Sequence, residues 1–71
     1  MTKYYFKVTY SLINSDETRE MYFPIMSDDF LEAWQEVVDQ AFYTGVAYEM
    51  DGKGSFELQG IQLESITNMN L

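Results

Sequence analysis

Residues 27–42, SDDFLEAWQEVVDQAF, decide the fold. Within them Phe30, Ala33, Trp34, Val37, Val38, Ala41 and Phe42 recur at i, i+3, i+4, i+7, i+8, i+11 and i+12. That spacing is the buried face of an amphipathic helix of about four turns. Ser27 is expected to cap its start, since a hydroxyl there accepts a first-turn N–H. Asp28 and Asp29 then complement the positive end of the helix dipole. Gly45 is expected to end the helix as the first residue past it.

Before this helix the periodicity changes from 3.6 to two. Tyr4, Phe6, Val8, Tyr10 and Leu12 alternate with Tyr5, Lys7, Thr9 and Ser11, the pattern of a half-buried strand. After the turn cluster Asn14-Ser15-Asp16-Glu17, the alternation resumes with Met21, Phe23 and Ile25, so an antiparallel hairpin is expected. Pro24 cannot donate to a strand ladder and is expected to close the second strand.

After the helix, residues 46–50 read as a short strand or a helix extension. Asp51-Gly52, a favoured type I′ turn pair, tips the reading toward strand. Phe56 and Leu58 hold one phase of a further strand and Ile61 and Leu63 the other, which places a β-bulge at Gly60. Ile66 and Met69 either continue that strand or begin a tail. The expected architecture is α+β: an antiparallel sheet with one helix packed on a face, ordered ββαββ, or ββαβ if 46–50 is not a strand. The expected core comprises Phe6, Val8, Met21, Phe23, Phe30, Trp34, Val37, Val38, Ala41, Phe56 and Leu58, with Trp34 largely buried.

Seventy-one residues make one domain, 1–71. The chain has 46% hydrophobic and 17% aromatic residues, far too many for an acidic disordered tail. A core this small typically supplies only about 3–5 kcal/mol unless something staples it. With no Cys there is no disulfide, and with no Cys or His the familiar nucleophile–base and metal-ligand sets are missing. No cofactor and no catalysis are expected. Self-association remains as the staple, so a homodimer is expected, with Tyr5 and Tyr22 as its contact residues because they lie out of phase with the core. No apolar leader and no run of about 18 apolar residues occurs, so the expected location is the cytoplasm of a bacterial cell.

The net charge of −8 is concentrated. Residues 20–52 contain eight acids, Glu20, Asp28, Asp29, Glu32, Glu36, Asp39, Glu49 and Asp51, and no Lys or Arg. At about 100° per residue, Asp28, Asp29, Glu32, Glu36 and Asp39 share one arc of the helix, about 16 Å long at about 1.5 Å per residue. Asp28/Glu32 and Glu32/Glu36 are like-charged i,i+4 pairs, each losing about 0.2–0.5 kcal/mol that a Lys or Arg would have gained. A surface that forgoes available stability points to function. Neighbouring carboxylates lie roughly 5–6 Å apart on such a face, a spacing close to that of phosphates along one nucleic-acid strand. Glu49 and Asp51 extend the acidic character, although Asp51-Gly52-Lys53-Gly54 has neither the ligand alternation of a calcium loop nor the spacing of a phosphate loop.

In size, charge, absence of Cys and a helix face of one sign, the chain resembles the small acidic proteins that phages and mobile elements use as DNA mimics. That resemblance implies an inhibitor occupying the DNA- or RNA-binding groove of a basic host protein: a nucleoid protein, nuclease or defence effector. Its contact residues would be Asp28, Asp29, Glu32, Glu36, Asp39, Glu49 and Asp51. Direct binding to nucleic acid or to an anionic membrane is not expected at a pI near 4.1. The alternative is an acidic adaptor or assembly module that docks through the aromatic sheet face carrying Tyr5 and Tyr22.

Overall fold

A computed structural model describes residues 1–13, 15–50, 52 and 54–69, with residues 48–50 described by their backbone alone. The elements follow as β1 (Thr2–Leu12), β2 (Thr18–Ser27), α1 (Phe30–Met50) and β3 (Phe56–Asn68). The sheet order is β2-β1-β3, with β1 antiparallel to both neighbours. β2 and β3 therefore run parallel to each other on either side of β1, and α1 provides the crossover that parallel strands require. This is the α+β fold in its ββαβ form.

Among the described residues, the eight buried apolar ones come from three elements. Tyr4, Phe6, Val8 and Tyr10 lie on the inner face of β1, Ile25 on β2, and Ala33, Val37 and Ala41 on α1. Met21, Phe23, Phe56, Leu58, Ile61 and Leu63 pack partly buried around them. Phe30 stands against Tyr4 and Phe6, while the Ala41 carbonyl meets the Tyr10 hydroxyl, so the helix advances along β1 in the same direction.

The expected bulge forms beside Gly60: register passes from Thr9↔Gly60 to Tyr10↔Leu58, leaving Gln59 over. A second shift, from Tyr5↔Ser65 to Phe6↔Leu63, leaves Glu64 over. Together they account for the apolar spacing of β3. Each extra residue resets the phase, so Phe56, Leu58, Ile61, Leu63 and Ile66 all lie opposite core-facing residues of β1.

Several expectations are corrected. Residues 46–50 are helix, not strand, and Gly45 lies inside α1. Its Cα approaches the Tyr10 ring closely enough that an added Cβ would sit 3.6 Å from Cε1, an ordinary contact. The left-handed glycine past the helix is instead Gly52, with φ 73°. Gly54 also has positive φ, 98°, and a Cβ there would meet Leu12 Cδ1 at 2.8 Å. Asp51 of the expected turn lies outside the described residues.

Pro24 does not end β2, which continues to Ser27 with Pro24 opposite Tyr5. An edge strand can spare a donor, and β2 is an edge. The N-cap is Asp29, not Ser27. Asp29 Oδ1 accepts the Leu31 N–H at 3.3 Å, and its carbonyl accepts the Ala33 N–H at 3.1 Å. Ser27, buried at the strand end, braces the cap by accepting the Asp29 N–H at 3.2 Å.

Trp34 is 37% exposed rather than largely buried, and Phe30 is similarly open. Three strands form too narrow a floor for the whole apolar arc of the helix. The small side chains Ala33, Val37 and Ala41 take the centre line, and the large ones are displaced to its flanks.

Candidate interaction surface

The helix divides into two unlike flanks. On the side toward β2, Phe23 borders a shallow groove with Asp39, Gln40, Tyr43 and Thr44. On the side toward β3, Phe42, Gly45 and Val46 border another with Tyr10, Phe56 and Leu58. The acidic arc lies on the solvent side and is turned toward β2.

Asp28, Asp29, Glu32, Glu36 and Asp39 are all exposed. Their local roles differ. Asp29 caps the helix. Asp28 Oδ1 lies 3.6 Å from the Met1 ammonium. Glu32 Oε2 is 3.3 Å from Ser27 Oγ. Glu36 accepts from Gln40 Nε2 at 3.3 Å, and Asp39 has no hydrogen bond or ion pair among the described residues. No described Lys or Arg pairs with any of the five. The acids nearest the helix start are thus tied to the cap and the N-terminus, whereas Glu36 meets only Gln40 of its own helix and Asp39 has no such side-chain contact among the described residues. The Glu49 side chain and Asp51 lie outside the described residues.

The described cations lie elsewhere. Lys3 and Lys7 alternate with the core residues of β1 and occupy the opposite, open face of the sheet. Lys7 Nζ meets Glu64 Oε1 at 3.5 Å, and Lys3 Nζ stands 6.0 Å from the centroid of Tyr5. Arg19 stands opposite Tyr10 at the hairpin-turn end of β2. The sheet separates the acidic helix face from both lysines.

Tyr5 and Tyr22 come together on that open face, stacked with centroids 5.5 Å apart and planes inclined by 13°. A residue absent from the sequence reading joins the acidic arc. Tyr43 is 79% exposed and lies one turn beyond Asp39 on the same face. Its i+4 spacing from Asp39 was the available signal, masked by the expectation that the helix was about to end. Exposed tyrosine is a frequent anchor of protein interfaces.

An open carboxylate surface of this kind is suited to electrostatic recognition. Acid–base chemistry would need a pocket that drives two carboxylates to different protonation states. No helix among the described residues is long and apolar enough to cross a membrane. No family model, no curated protein and no solved structure matches the chain.

Proposed function

We propose that this chain is a non-enzymatic binding protein whose acidic helix face occupies the nucleic-acid groove of a basic host protein, as phage-borne DNA mimics do. The observation that carries this reading is the pair Glu36 and Asp39: both are exposed, both continue the line begun by Asp28, Asp29 and Glu32, and neither meets a basic side chain among the described residues. Helix capping accounts for Asp29 but not for them. Tyr43 supplies a desolvating contact in the midst of the charge, where long-range attraction alone would give on-rate more than residence time.

The test is retention of host proteins from a bacterial lysate on the immobilised chain, followed by elution with rising salt or with duplex DNA. Mimicry requires the retained protein to be basic, to be displaced by DNA, and to be lost as salt screens the carboxylates. A partner that survives high salt and ignores DNA refutes it.

The second reading is an adaptor docking through the open sheet face, favoured by the stacked Tyr5–Tyr22 pair with Lys3 above it. Binding that is lost in Tyr22→Ala but retained when Glu36 and Asp39 are neutralised would establish it in place of mimicry.

A further inference from the structure

The flank of α1 between its acidic arc and β3 is apolar and largely open, and Asp39 borders it beside Trp34 and Val38. Trp34, Val38, Phe42 and Val46 follow one another at intervals of four, and Leu31 lies beside them. Leu31 is 68%, Phe42 60% and Val46 55% exposed, and Ile66 on the inner face of β3 is 59% exposed. We propose that this flank is the self-association surface of the protein, occupied by the same flank of a second copy across a two-fold axis. The inference does not rest on the reading of the acidic face.

Area is the first argument. At about 150–250 Å² for an aromatic side chain and somewhat less for an aliphatic one, the patch exposes on the order of 500 Å². That is near the top of the range of about 300–600 Å² for monomeric proteins. With a polar rim it approaches the about 800 Å² per partner of a stable interface. The chain is also elongated, with extents of 45 × 20 × 18 Å, a shape that keeps more surface in solvent. Its radius of gyration is 13.5 Å where about 11 Å is usual for this length. Its accessible surface is 4996 Å² where about 4,600 Å² is usual for this mass.

Charge and geometry select a second copy as the occupant. Two chains of net charge −8 can meet only where neither presents its acids, and none of these apolar positions is charged. A two-fold contact here leaves Glu32 and Glu36 facing solvent and places Asp39 at the rim, beside Trp34 and Val38. A row of side chains at intervals of four is the ridge that packs into the groove beside the same row of another helix, a self-complementary arrangement. Joining edge strands instead is impeded on both sides, by Pro24 in β2 and by the two bulges of β3.

Trp34 is the single tryptophan and reports directly on the contact. Sedimentation of the full chain at high micromolar concentration should give twice 8.3 kDa. Trp34 emission should move to shorter wavelength as dilute protein is concentrated. Phe42→Glu and Leu31→Glu change exposed positions, so each should keep the parent circular dichroism while raising the dimer dissociation constant by about tenfold or more. Tyr22→Glu, on the other sheet face, should leave association unchanged. A parent that stays at 8.3 kDa overturns the proposal. So does a dimer that withstands both helix substitutions, or one that Tyr22→Glu abolishes.

Discussion

The Tyr10 hydroxyl donates to the Ala41 carbonyl at 2.5 Å, tying the central strand of the sheet to the fourth turn of the helix across 31 residues of sequence. Both residues are buried. The contact fixes how far the helix slides along β1, and it occurs one turn before Gly45, which also faces the Tyr10 ring. Tyr10→Phe should keep the packing and lose the bond, at a cost of about 0.5–1.5 kcal/mol. Urea denaturation followed by Trp34 fluorescence measures it, and an unchanged midpoint would show that the bond contributes nothing net.

Gly45→Ala should stabilise the protein by about 0.5–1 kcal/mol, because alanine is the better helix former and its Cβ has space beside Tyr10. Gly54→Ala should do the reverse, by about 1–3 kcal/mol, since φ is 98° and the new Cβ would strike Leu12. Thermal melts of the two variants provide a paired test. Destabilisation by Gly45→Ala would contradict a helix continuing through that position.

Phe6 is fully buried, with Tyr4, Phe30 and Trp34 around its ring. Phe6→Ala should cost about 3–5 kcal/mol, comparable to the whole stability of a domain this small, and should unfold it. Trp34→Ala removes a larger side chain that keeps over a third of its surface in solvent, and should cost less. Circular dichroism at low protein concentration, where association does not contribute, distinguishes them. Equal losses would mean Trp34 is as deeply packed as Phe6.

Asp29→Ala removes the N-cap and should cost about 0.5–2 kcal/mol, whereas Asp29→Asn should retain most of it. Glu36→Gln with Asp39→Asn leaves the cap intact and relieves like-charge repulsion, so stability should hold or rise slightly. The same double variant should lose the host partner. Calorimetry of folding and titration against that partner separate the two effects, and unchanged affinity would reduce the acidic face to a solvated surface.

The elements were legible because each rests on local repetition. Alternation in β1 and β2, the 3.6 period from Phe30 to Phe42, and the phase change at Gly60 all appear at their expected places. The misplacements occurred where a residue with a strong local preference was overruled by its neighbours. Gly45 is a poor helix former, yet it remains helical against Tyr10, 35 positions away. Pro24 is a strand breaker only in the middle of a sheet, and no local signal told that β2 would lie at an edge. Ser27 and Asp29 are both competent caps, and the choice fell to Asp29 because β2 runs on through Ser27.

The sequence by itself determined the first hairpin, the helix and the last strand in their order, the helix face that meets the sheet and the five carboxylates that share one arc, since these depend on period and composition, but it left residues 46–50 between strand and helix. Only the tertiary structure decided how much of the apolar arc is covered. Periodicity records which side of a helix is apolar but not the width of the surface beneath it. Three strands shelter Ala33, Val37 and Ala41 and leave Trp34 and Phe42 in part to solvent. The sheet also decided the partition of charge, by setting the lysines of β1 on the face turned away from the acidic helix.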